Sequence, residues 1–231
     1  MPKIKKYLSK SDKYRGIISP EYAESLRLKK LNKKWEKETK QKVINTLPNR
    51  LAENFHTYNF SKLPQKNICS MFIYGEVGTG KTVACAYYYV EFVKQMYLKM
   101  SSFTKTHYFI VYSKLMEDLQ KNYQDSDDLM KKYMECDLLV IDEFGVKKLT
   151  EFVYDRIYLL INERYLNNLP TIINSNSSLE EIGKKFNDAR IPRRIEEDYE
   201  LIKKIHDYEK ENIILHSNRR IELHYSNTCQ V

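Results

Sequence analysis

The chain has 231 residues, 42% of them hydrophobic, and a formal net charge of +8. That length suits one domain, or one domain with an extension, and is enough to bury a sizeable core. The sequence holds no run of 18 apolar residues, which excludes a membrane-spanning helix, and the basic start Met-Pro-Lys-Ile-Lys-Lys is not followed by the apolar stretch of a signal peptide.

Residues 1–50 carry 15 Lys and Arg against 5 Asp and Glu, whereas the remaining residues carry 24 against 26. The basicity therefore belongs to the N-terminal segment, as expected for contact with nucleic acid or an acidic partner, or of a solvated helix face. Residues 1–18 read as a basic arm. Ser19-Pro20-Glu21 is a helix start, with a cap, a proline at the first helical position and an acid in the first turn. The helix is expected to run to about Asn45, with Leu28, Leu31 and Trp35 on one stripe that packs on this chain or on a partner. Leu47-Pro48-Asn49 breaks it, which divides the chain into a basic segment of residues 1–50 and a main domain of residues 51–231.

Past Phe55, Tyr58, Phe60 and Leu63-Pro64, the apolar run Ile68 to Tyr74 predicts a strand. Gly75-Glu76-Val77-Gly78-Thr79-Gly80-Lys81-Thr82 follows, a full match to G-x-x-x-x-G-K-[ST]. Its glycines let successive N–H groups turn toward phosphate oxygens, Lys81 adds an ammonium, and Thr82 offers a hydroxyl to Mg²⁺ at the start of a helix. The apolar stretch Val83 to Val93 supplies that helix. His107 to Tyr112 predicts a second strand, about Ser113 to Tyr123 a helix, and Asp137 to Ile141 a third strand.

The third strand ends in Asp142-Glu143, at the edge of a parallel sheet where ligands bind. Asp142 suits a Mg²⁺ shell and Glu143 suits a general base for water. Residues 150–168 predict an amphipathic helix and Thr171 to Asn174 a fourth strand. The fourth strand runs into Asn174-Ser175-Asn176; Asn176, with Asn174 in reserve, is placed to orient water, while Ser177 and Glu180 form a capping box. Arg190, Arg193 and Arg194 cluster next, as a solvated basic face or as guanidinium groups that reach a neighbouring subunit's nucleotide. Strands alternating with helices imply an α/β fold, a P-loop NTPase with a parallel sheet flanked by helices and a basic N-terminal helical extension. A GTPase base reader of the N-K-x-D type is missing after the loop, so ATP is preferred. Cys69, Cys85, Cys136 and Cys229 form no C-x-x-C pair; the first three read as reduced core residues, which fits a cytoplasmic protein without a zinc site.

The set GEVGTGKT, LLVIDEFG, NERY at 162–165, TIINSNSSLEEI and ARIPRRI resembles the DnaC/IstB family of AAA+ ATPases over about residues 52–196. The resemblance implies ATP and Mg²⁺ as ligands. It also implies a homo-oligomer that loads a replicative helicase onto single-stranded DNA, or that helps a transposase. In its terms Gly75 to Thr82 would hold the phosphates, Asp142 the metal, Glu143 the attacking water and Asn176 the sensor position. Arg194, or else Arg190, would be the arginine that acts in trans. The family's Gly-Glu and Ser in this last motif are replaced here by Asp188, Ala189 and Arg193.

Overall fold

The computed structural model describes residues 19–61, 63, 69–100, 106–120, 123–146, 150–204 and 213–216. The expected basic arm, Pro64, Cys229 and most of the tail lie outside the described residues.

The chain enters through helix α1 (Pro20–Lys34), capped by the Ser19 side chain. It passes a π-helical turn (Trp35–Thr39) and continues as the short α2 (Lys40–Ile44) and α3 (Asn49–Asn54). The single helix expected to Asn45 is thus broken by a π-turn, and Trp35, Val43, Ile44 and Leu47 are buried. One extra residue in a turn rotates the two halves relative to each other, which lets Trp35 and the later apolar residues share a buried cluster. The sequence stripe therefore packs on this chain at Leu31 and Trp35, while Leu28 stays exposed.

The central sheet follows: β1 (Met71–Gly75), α4 (Lys81–Met100), β2 (His107–Val111), α5 (Tyr112–Gln120), α6 (Tyr123–Glu135), β3 (Leu138–Asp142), α7 (Glu151–Leu166) and β4 (Thr171–Ser175). After them come α8 (Leu179–Phe186), α9 (Arg190–Asp198), β5 (Glu200–Lys204) and β6 (Ile213–His216). The strand order is β2-β3-β4-β1-β5-β6; the first five are parallel and β6 pairs antiparallel with β5. β3 and β4 are buried along their whole length, as strands covered on both faces must be. One core lies between the sheet and α5 to α9; the other lies between the sheet, α4 and the N-terminal helices.

Several sequence expectations shift here. β5 was not anticipated, because Glu200-Leu201-Ile202-Lys203-Lys204 carries too few apolar residues to read as a strand. Helix α6 was missed; its first half carries Asp125, Asp127 and Asp128. The cap of α8 is Ser178 with Glu181, one residue later than expected, and both reciprocal bonds of the box are formed. Cys69 is exposed rather than in the core, whereas Cys85 and Cys136 are buried. Among the described residues no helix is long and apolar enough to cross a membrane, and no cluster of His, Cys, Asp and Glu could hold a metal ion.

Candidate nucleotide site

The strands of the parallel sheet end at a common edge, and β1, β3 and β4 bring the sequence-predicted residues together there. β1 lies beside β4, with Tyr74 opposite Ser175, and β4 lies beside β3, with Ile173 opposite Ile141. The loop after β1 turns sharply into α4. Gly78 (φ 83°) and Gly80 (φ 79°) hold the left-handed backbone that this turn requires. Thr79 Oγ1 donates to the carbonyl of Glu76 at 2.9 Å and braces the turn from within. Glu76, Val77 and Gly78 are exposed at its crest.

Lys81 is 6% exposed, and its ammonium donates to the carbonyls of Gly75 (2.9 Å) and Glu76 (2.6 Å). Burial pulls its pKa below the ordinary lysine value, with Asp142 and Glu143 opposing that shift. The group is thus desolvated and aimed into the loop, ready to exchange carbonyl oxygens for phosphate oxygens. Thr82 Oγ1 donates to Asp142 Oδ1 at 2.9 Å. Hydroxyl and carboxylate are therefore already adjacent, a pair of oxygen donors that would suit a Mg²⁺ ion. Burial raises the Asp142 pKa, while hydrogen bonds from Asn174 and Thr82 favour its charged form.

Asn174 organises both acids. Its Nδ2 donates to Asp142 Oδ1, and its Oδ1 accepts from the Glu143 backbone N–H at 2.9 Å. Its own backbone carbonyl accepts from Phe144 N–H at 2.7 Å. Ser175 Oγ donates to the Phe144 carbonyl at 2.7 Å, and Lys185 from α8 holds the carbonyls of Gly145 and Val146. These bonds keep Glu143 in the left-handed region (φ 61°) with its residue exposed at the sheet edge. Asn176, the sequence's first choice, is exposed beyond the end of β4, while the reserve Asn174 makes the contacts to both acids. Ser175 and Lys185 were not anticipated. The signal for Ser175 was its place between the two asparagines; Lys185 had none, because its target is a backbone segment 40 residues away.

The arginines lie on α9, which packs on α7 and α8. Arg190 is held by two carboxylates, Asp188 and Asp155, each at 2.8 Å, and its guanidinium stacks over Tyr154 and Tyr158. Arg194 stacks over Tyr165 at 4.3 Å and donates to Glu197 at 3.1 Å; its buried Nε meets no acceptor among the described residues. Arg193 is the most exposed of the three and pairs with Glu197.

A five-stranded parallel sheet of this order, a glycine turn into a helix, and an acid pair on the strand two places away define the fold of the P-loop AAA+ nucleotide-binding proteins. The model of the IstB-like ATP binding proteins matches residues 19–198, and the chain belongs to that family. No curated protein matches the chain in sequence. Its fold is similar to that of AMPPCP-bound DnaA from Aquifex aeolicus, with a TM-score of 0.52, 20% identity, and 69% of this chain and 47% of that one covered. It is similar as well to DnaA bound to AMPPCP and single-stranded DNA (0.51, 19%, covering 60% and 41%) and to DnaI (0.50, 21%, covering 68% and 82%). The chain spans about half the length, or less, of the DnaA structures.

Proposed function

We propose that this protein binds ATP with Mg²⁺, hydrolyses it, and uses the cycle to load a ring-shaped replicative helicase onto single-stranded DNA. The observation that carries the reading is the cluster of Thr82, Asp142, Asn174 and Glu143 beside the glycine turn. Loop N–H groups from Gly75 to Thr82 and the Lys81 ammonium hold the phosphates. Thr82 and Asp142 would hold a Mg²⁺ ion, which would supply positive charge against the phosphates when bound. Glu143 takes the proton of a water as its oxygen attacks the γ-phosphorus; the bond to the bridging oxygen breaks and ADP leaves. Asn174 fixes the geometry of both acids, and Asn176 at the strand end is the second candidate to contact the water.

The protein acts as an oligomer, with an arginine from the adjoining copy completing the site. Arg194 is the better candidate, because Arg190 is already neutralised by two carboxylates and fastens α9 to α7. The single-strand part of the reading draws on the shared fold of DnaA, solved with AMPPCP and single-stranded DNA; the helicase part rests on the resemblance of the motifs to the DnaC/IstB family. The family match favours a second reading, the same ATPase serving a transposase.

Turnover of ATP by purified protein, measured with and without single-stranded DNA, tests the core of the proposal. Lys81→Ala abolishes nucleotide binding. Glu143→Gln retains binding and loses turnover. Arg194→Ala is inactive alone and regains activity when mixed with Lys81→Ala, since one copy then supplies the arginine and the other the loop. Persisting turnover in Lys81→Ala rejects the site, and absence of rescue rejects the arginine in trans. Stimulation by a replicative helicase or by a transposase separates the two partner readings.

A further inference from the structure

Helix α1 has no buried residue. It touches the body mainly near its C-terminal end, where Leu31 packs on the core and Arg27 reaches the Lys99 carbonyl of α4 at 3.4 Å. Its charges are segregated. Lys29, Lys30, Lys33 and Lys34, joined by Lys37 in the π-turn, are all exposed and fall within an arc of roughly 140° at about 100° per residue. Exposed Tyr22 lies within the same arc, toward the N-terminal end. The acids lie elsewhere: Glu24 pairs with Arg27, and Glu36 with Lys40 and Lys94. Among the described residues none of the five lysines forms an ion pair.

Such a face is unfavourable by itself. Lys29 and Lys33, Lys30 and Lys34, and Lys33 and Lys37 are like charges four residues apart, and such pairs weaken a helix. The same row becomes favourable against a polyanion, because each ammonium that meets a phosphate releases a condensed counterion. A lysine row alone fits any acidic surface. An exposed aromatic ring in line with the row adds a platform on which an unpaired base stacks, as in single-strand binding grooves.

We infer that the Tyr22–Lys37 face of α1 is a binding surface for single-stranded nucleic acid, with lysines on the phosphates and Tyr22 under a base. The inference deepens the loader reading, on which it rests for its biological setting, and places a strand contact on the N-terminal helix outside the ATPase cleft.

The test uses the full chain and fluorescently labelled oligothymidylate, with oligouridylate and a DNA duplex alongside, followed by anisotropy across a salt series. Replacing Lys29, Lys30, Lys33, Lys34 and Lys37 together by Gln preserves helix propensity and lowers the slope of log affinity against log salt by about 3. Tyr22→Ala weakens oligothymidylate binding about five-fold or more, and Tyr22→Phe restores it. A preference for oligothymidylate over oligouridylate assigns the face to DNA; equal binding assigns it to single strands of either kind. An unchanged slope in the lysine variant overturns the inference, and so does polyglutamate binding with the same affinity and the same lysine dependence. Duplex binding as tight as single-strand binding overturns the stacking role of Tyr22. Binding of a fluorescent ATP analogue remains intact in every variant, so failure here leaves the ATPase reading standing. Loss of ATP binding in the unaltered chain would sink that reading instead.

Discussion

Glu143 is the residue in which structure and chemistry pull against each other. A non-glycine residue in the left-handed region costs about 1–2 kcal/mol, and Glu143 is held there (φ 61°) by the Asn174 amide from below and the Phe144 bonds beyond. Strain of this kind persists where the surroundings over-determine it. In the proposed mechanism that conformation is what presents the carboxylate at the sheet edge. Glu143→Gly therefore raises the stability of the fold by about 1 kcal/mol, read from the thermal midpoint, while ATP turnover is lost. Asn174, on β4, bonds to Asp142 and to the Glu143 backbone across the two strands. The sequence placed the two acids and two candidate asparagines at the strand ends, but it ranked Asn176 first. Burial separates the two candidates: Asn174 is buried on β4, which lies between β3 and β1, while Asn176 is exposed, and only pairing of the strands decides that.

At the scale of elements, Arg164 shows what sequence periodicity conceals. It sits on α7 inside the NERY segment and is fully buried. Its guanidinium donates to the carbonyls of Tyr133 and Cys136 at 2.8 Å and of Pro170 at 2.7 Å, and to Thr171 Oγ1 at 2.8 Å. The charge faces the carbonyl end of α6, where the helix dipole favours a cation. One side chain thus ties α6, α7 and the starts of β3 and β4, and so fixes the far ends of the two strands that carry Asp142 and Asn174. Arg164→Leu takes its donor away from the carbonyls of Tyr133, Met134, Cys136 and Pro170; Tyr133 and Pro170 keep only longer bonds, from Cys136 Sγ at 3.3 Å and Leu139 N–H at 3.4 Å, and a buried carbonyl left without a donor costs about 1–3 kcal/mol. We expect a loss of at least about 3 kcal/mol, seen as a lower urea midpoint. The π-turn at Trp35 has a similar origin: Trp35 packs against Tyr97 with ring centroids 5.5 Å apart, and the helix deforms to seat it.

For the molecule as a whole, the N-terminal helices form an added layer on α4. Trp35, Val43, Ile44, Leu47, Leu51 and Phe55 share one cluster with Met71, Ile73 and the apolar face of α4. We read residues 35–50 as part of the ATPase body, and the exposed face of α1 as the segment left to a partner. A chain of hydrogen bonds crosses this junction: Thr46 Oγ1 to Tyr89 Oη at 2.7 Å, and Tyr89 Oη to His107 Nδ1 at 2.6 Å, which links the α2 end, α4 and β2. Burial lowers the His107 pKa below its ordinary 6.5 and raises that of Tyr89 to about 12. Below pH 6.5 the unfolded chain takes up a proton at His107 that the folded chain resists. Stability attributable to this residue is therefore complete above pH 6.5 and declines as the pH falls toward the lower folded value. Chemical denaturation at pH 7.5 and 5.5 checks this, with a smaller difference in His107→Asn than in the parent.

The order of strand, glycine turn, helix and acid-ended strand was written in the chain, because local backbone freedom and hydrophobic runs carry that information over a few residues. So was the α/β class. The fifth parallel strand, the role of Asn174, the buried Arg164 and the grip of Lys185 on the acid turn were decided only in three dimensions. Each depends on groups distant in sequence meeting in a dry interior, where an unpaired polar atom is costly and the partner that satisfies it can come from any part of the chain.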